Sequence, residues 1–177
     1  MALPLILLAL AAVAWFTRAQ ISDAFSFVRD RTEKVEPLSP DDCRASSEAS
    51  GHPAGNACDG LRNRYWAPAA GSGAGESLEA RFTEPVQLRQ VIVTAGISAN
   101  QDEFLSQARP ARITVTLVDV EGGRDTGTIA LRDQAGEQRF DVRGTDVTRV
   151  VLTIDAAYGD GPDRGPAVAE VELFGRG

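Results

Sequence analysis

Apolar side chains fill every position from Ala2 to Phe16, fifteen in a row, and nothing downstream repeats that pattern. As a helix the run would span about 22 Å, less than the ~30 Å hydrocarbon core of a bilayer. The helical signal continues past it. Ile21, Ala24, Phe25 and Val28 fall at i, i+3, i+4 and i+7, one apolar stripe that Pro37 would end. A cleaved signal peptide is the competing reading, with Thr17-Arg18-Ala19 as its cleavage site. No basic residue precedes Ala2, however, and a leader has no use for the continuing stripe. The pattern predicts an uncleaved transmembrane anchor and juxtamembrane helix over residues 1–35.

The grammar then changes. Residues 36–42, Glu-Pro-Leu-Ser-Pro-Asp-Asp, are acidic, carry two prolines and have no periodicity, and so read as a linker. Strand-like runs follow at the spacing of an all-β protein: Cys43–Ala49, Ser77–Phe82, Val86–Ala95, Arg112–Val118, Gly127–Leu131, Gln138–Val142, Thr148–Asp155 and Ala169–Phe174. In the fourth, Ile113, Val115 and Leu117 point one way while Arg112, Thr114, Thr116 and Val118 point the other, which marks a half-buried strand. Glu121-Gly122-Gly123 and Gln134-Ala135-Gly136 are turns. No convincing helix lies between the runs, which argues against a βαβ arrangement. An eight-stranded antiparallel β-sandwich of the jelly-roll kind, over residues 43–177, is the predicted architecture.

Charge and cysteine content narrow the picture. The formal charge of −7 argues against a nucleic-acid partner, since phosphate binding needs a basic face. Cys43 and Cys58 are the only cysteines, and a zinc site would need two further ligands where His52 is the only histidine. Two free buried thiols or a disulfide remain; the disulfide suits an exported domain and would contribute about 3 kcal/mol. Arg18, Arg29 and Arg31 follow the apolar run and by the positive-inside rule alone would hold the domain in the cytoplasm. The cysteine pair argues for the other side. The expectation is a single-pass membrane protein with its β-domain extracytoplasmic.

The order of short motifs carries a further signal. Asn56-Ala57-Cys58-Asp59-Gly60 and Tyr65-Trp66 stand early, Arg109-Pro110 precedes a central strand, and Ala169-Glu170-Val171-Glu172-Leu173-Phe174-Gly175 closes the chain. This arrangement, over about Asp42–Gly177, resembles the discoidin or coagulation-factor type C family, and especially the glycan-binding modules of bacterial secreted enzymes. The resemblance implies a galactose-binding-like fold and a structural Ca²⁺ ion between the Asp-Gly loop and the last strand. Its side-chain ligands would be Asp59, Asn63 and Glu170, with backbone carbonyls near Arg62, Tyr65 and Ala169; hard oxygens in that number suit Ca²⁺. Arg64 departs from the family pattern, which usually has a small hydroxyl residue there. Read without the resemblance, Asp59-Gly60 is an ordinary turn and Glu170 a solvent-facing strand carboxylate. Trp66 is expected in the core, Tyr65 is open to either role, and His52 reads as an exposed loop histidine.

Motifs of catalysis are missing from the sequence: there is no Gly-x-Ser-x-Gly elbow, no His-Glu-x-x-His and no phosphate-cradling glycine loop. Asp102-Glu103 and the Asp160/Asp163 pair read as solvated loop carboxylates and not as a glycosidase dyad. Binding is expected in two long loops, 96–109 and 156–168. Sugar recognition needs an aromatic platform and planar polar groups, and those loops offer Asn100, Gln101, Asp102, Arg109, Tyr158 and Arg164. The predicted function is a non-catalytic, membrane-tethered module that binds carbohydrate. The alternative is an adaptor whose partner is a membrane protein.

Overall fold

The computed structural model describes residues 35–69, 73–161 and 164–176; the expected anchor and stalk, 1–34, lie outside the described residues. Among the described residues no helix is long and apolar enough to cross a membrane. The strands are β1 (Glu36–Leu38), β2 (Asp42–Ala45), β3 (Ser77–Ala95), β4 (Arg109–Asp119), β5 (Arg124–Ala130), β6 (Glu137–Tyr158) and β7 (Val168–Arg176). A 3-10 turn at Ala54–Ala57 and one short helix, α1 (Gln101–Phe104), complete the set among the described residues. All pairings between strands are antiparallel, in the order β1-β7-β3-β6-β4-β5, with β2 also on β3.

Two long strands carry both layers of the β-sandwich. The first half of β3 pairs Ser77–Arg81 with Thr153–Arg149 of β6 on one side and with β2 on the other. Its second half pairs with the first half of β6 and with β7. The register slips between Arg81 and Val86, and again between Val86 and Gln90. Pro85 explains the break on β3, because it has no N–H to give the ladder. Gly144, and Asp146 with a φ of 53°, mark the matching corner on β6. The sequence therefore shows four runs where the chain has two strands: Ser77–Phe82 with Val86–Ala95 is β3, and Gln138–Val142 with Thr148–Asp155 lies within β6.

Residues 36–42 are not a linker throughout. Glu36–Leu38 forms β1 and pairs with Gly175–Leu173, and Asp42 opens β2. Pro37 sits there without penalty because β1 is an edge strand. Gly175 is the glycine this packing requires: a Cβ there would collide with the Gln87 carbonyl and lie 3.0 Å from Leu38 Cδ1.

One apolar core draws on both layers. Leu78, Val91, Val93, Ile113, Val115, Val150, Leu152, Ile154, Val171 and Leu173 belong to it, and all are buried. The alternation read in β4 holds for Ile113, Val115 and Leu117, while Val118, expected outward, is also buried. Trp66 is fully buried and donates its indole N–H to the Ser47 carbonyl at 3.0 Å, which satisfies the one polar atom of that side chain.

Cys43 of β2 and Cys58, which caps the 3-10 turn, form the disulfide, with Cα atoms 6.5 Å apart. The bond ties β2 to the loop that leads into Asp59-Gly60. Cys58→Ser removes a constraint on the unfolded chain of about 3 kcal/mol. Calorimetry should therefore show a fall in Tm of several degrees, and an unchanged Tm would mean that the bridge does not contribute.

Candidate functional site

Pairing at the strand ends gathers the loops. Ala95 pairs with Val168, Trp66 bridges Val168, and Ala108 bridges Pro166. Gly96 N–H donates to the Ala167 carbonyl, and Ala167 N–H donates to Ala108, both at 2.9 Å. Segments 46–67, 96–108, 159–161 and 164–167 thus meet at one end of the sandwich.

Two of the six predicted ligand residues are committed to the fold. Arg109 is only 6% exposed and gives Asp133 a forked pair of hydrogen bonds, Nε to Oδ1 at 2.9 Å and Nη2 to Oδ2 at 2.7 Å. Its Nη1 donates to the Gln107 carbonyl at 3.1 Å, and the guanidinium lies 5.0 Å from the Phe104 ring centre. A buried arginine so occupied pins the loop to the fold. Tyr158 donates its hydroxyl to the Leu131 carbonyl at 3.0 Å. Asn100 caps α1, its Oδ1 accepting from Asp102 N–H at 3.2 Å. Gln101, Asp102 and Arg164 are exposed on these loops.

The concave feature of this end is elsewhere. Gly51, His52, Pro53, Asn56, Asn63, Arg64 and Tyr65 line a cleft of about 390 Å³. His52 and Tyr65 stack with ring centres 3.9 Å apart and planes inclined by 17°, and Tyr65 Oη lies 2.9 Å from His52 Nε2. Asn56 Nδ2 donates to the Tyr65 carbonyl at 3.1 Å and fixes that backbone. Burial pushes the Tyr65 hydroxyl pKa up. His52 is therefore half of an aromatic pair and not a bland loop residue. Its thirteen-residue separation from Tyr65 hides the pairing in the sequence, because the two meet only once Ala67 N–H has docked on the His52 carbonyl.

Glu170 corrects the other surface reading. It is 2% exposed, and it faces the Asp59-Gly60 loop, whose Gly60 N–H donates to its Oε1 at 3.4 Å. Its Oε2 is buried with no hydrogen-bond partner. Burial pushes the carboxyl pKa up to about 7, with Asp59 and Glu172 adding to the rise and Gly60 N–H and Arg62 opposing it. Asp59 itself closes a turn by accepting from Leu61 N–H at 2.8 Å, and Arg64 Nη1 lies 3.8 Å from its Oδ2. Arg62 bridges Glu137 and Glu172 across the same corner. The fold thus brings Asp59 and Glu170 together, while Asn63 lines the aromatic cleft.

A family model described as "NAD glycohydrolase translocation F5/8 type C domain" matches residues 34–174. The chain belongs to that family. Among solved structures, this F5/8 type C domain is similar to the family 32 CBM from Clostridium perfringens NanJ in complex with galactose, with a TM-score of 0.63 at 13% identity over 80% of this chain and 99% of that one. It is also similar to a Clostridium perfringens CBM32 in complex with GalNAc-β-1,3-galactose (TM-score 0.64, 13% identity, 78% and 99% covered). A third is a mutant of chitosan-binding module 1 from a Paenibacillus chitosanase/glucanase (TM-score 0.60, 17% identity, 80% and 100% covered). At such identities these likenesses establish a shared fold. No curated protein matches the chain significantly.

The raised Glu170 pKa has a consequence for stability. Between the usual carboxylate pKa near 4.5 and the folded value near 7, the native state holds the proton more tightly than the unfolded chain. Stability from this group is therefore complete at low pH and falls as pH rises through that window. In chelator-treated protein, Glu170→Gln should gain Tm relative to the parent from pH 4.5 to 7 and hold a constant lead above it. A Tm difference independent of pH across that window would show that Glu170 does not titrate as described.

Proposed function

We propose that this chain is a membrane-tethered, extracytoplasmic and non-catalytic module that recognises carbohydrate, with Ala2–Phe16 as its anchor. The observation that carries the reading is the His52–Tyr65 cleft at the loop end of a fold whose solved neighbours include modules in complex with sugars. The chemistry fits a pyranose. A stacked aromatic pair offers an apolar face to sugar C–H groups, and the Asn56 and Asn63 amides and the Arg64 guanidinium offer planar partners for vicinal hydroxyls. Gln101, Asp102 and Arg164 on the neighbouring loops would extend the contact to further residues of a chain. The disulfide supports an oxidising location.

A Ca²⁺ ion fits the adjoining corner. Glu170 Oε2 is a buried oxygen with no hydrogen-bond partner, and Asp59 lies near enough to raise its pKa, so two hard carboxylate donors face one corner. Glu170 and Asp59 would hold the ion, which would brace the loop and perform no chemistry. A Ca²⁺ ion bound there would also relieve Asp59 of Arg64, which lines the cleft. A glycan array probed with the full chain, with and without Ca²⁺, should show binding that Tyr65→Ala abolishes with little change in Tm. Failure to bind any sugar at millimolar concentration overturns the reading.

The family description favours a second role, as an adaptor in the translocation of an NAD glycohydrolase. The Ile21, Phe25 and Val28 stripe would then pack on a partner's membrane helix. Purification of the full chain from its native membrane in mild detergent separates the two: a stoichiometric protein partner that survives excess free sugar supports the adaptor, and its absence counts against it.

A further inference from the structure

The end of the sandwich away from the loops holds a second cleft. Val118 pairs with Arg124, Asp119 with Val147, and Leu88 with Gly144, so the β4–β5 turn meets the corner of the β3/β6 ribbon. The cavity between them measures about 520 Å³, larger than the aromatic cleft. Its floor includes Leu117 and Val147, both buried, and a Cβ at Gly144 would strike each of them at 2.7 Å. Arg124 and Asp125 come from β5, and Arg143 and Thr145 from β6. None of these four side chains has a hydrogen-bond or ion-pair partner among the described residues.

Acidic groups outnumber basic ones, and most of the ion-paired arginines have a carboxylate close by, as Arg62 and Arg109 do. Arg124 and Arg143 instead share one cavity, which Arg89 also lines. The nearby Asp119 is engaged by its own turn, its Oδ1 accepting from the N–H groups of Glu121 at 2.9 Å and Gly123 at 2.7 Å. Two guanidinium groups with free donors are suited to an oxyanion, which accepts from both in planar, charge-assisted bonds. A carboxylate and a hydroxyl beside them suit neutral hydroxyl groups, and the apolar floor suits a C–H face.

We propose that this cleft is a separate binding site for an acidic saccharide, one sugar unit bearing a carboxylate. The anionic group lies between Arg124 and Arg143, the hydroxyls reach Asp125 and Thr145, and the ring rests on Leu117 and Val147. The site stands apart from the His52–Tyr65 cleft and does not depend on what that cleft binds.

The test is a titration of the full chain, held in a non-ionic detergent without a sugar headgroup, with galacturonate, galactose and inorganic phosphate. Backbone amide NMR shifts of residues 119–125 and 143–147 report the site. Galacturonate should move them, more weakly as salt rises, and galactose should bind at least about tenfold more weakly, as the loss of charge-assisted hydrogen bonds implies. Arg124→Gln with Arg143→Gln should weaken galacturonate by a similar factor, Asp125→Asn with Thr145→Ala should weaken it to a smaller degree, and Tyr65→Ala should leave it unchanged. Equal shifts from galactose, or full galacturonate affinity in the arginine double variant, overturn the proposal. So does phosphate binding as tightly as galacturonate, which would mark a bare anion site. A response confined to residues 51–65 also overturns it and leaves the loop-end reading intact.

Discussion

The antiparallel pairing of β3 with β6 is the constraint on which the rest of the domain depends. Each strand runs through both layers, so the ribbon they form sets the angle between the sheets and the register of every neighbour. Its corner is built from backbone chemistry, a proline that cannot donate on one strand and a glycine with a left-handed aspartate on the other. Because the ribbon is continuous, its two ends have different fates. At one end the loops converge around Trp66; at the other the corner opens between β5 and β6.

Much of the fold was legible because alternation reports burial directly. Ile113, Val115 and Leu117 announced an inner face, and each predicted run contains strand, although Cys43–Ala49 leaves the sheet after Ala45. What local pattern could not show was continuity: a proline within an apolar stretch reads as an end, and only the partner strand reveals that the ladder resumes. Glu36–Leu38 was invisible for a related reason, since an edge strand of three residues depends on its pairing with β7. At the loop end, residue type was a poor guide. Arg109 was read as a polar loop residue until Asp133, twenty-four positions away, turned it into a core pin. The resemblance to the F5/8 type C family was read from motif order, and the family model over residues 34–174 shows the membership.

Two buried charges in this domain illustrate opposite solutions to one problem. Arg109 keeps its charge, because a forked carboxylate, a carbonyl and an aromatic face replace the water it loses. Glu170 has a single weak donor and two acidic neighbours, and its pKa moves instead. The first is a finished structural contact. The second is a position where the fold has left electrostatic energy uncompensated, and such positions are where a ligand changes stability most.

The β1–β7 pairing has a mechanical consequence. Glu36 lies opposite Gly175, so tension that draws residue 35 away from the end of β7 loads the hydrogen bonds of β1 one after another and not together. Such a peel yields at low force and would lengthen the connection by roughly 20 Å as residues 36–42 straighten. It then reaches Cys43, where the covalent link to Cys58 carries the load past residues 44–57 and shields them. A pull from the N-terminal side would thus be absorbed by a short, re-formable edge strand before the core felt any of it.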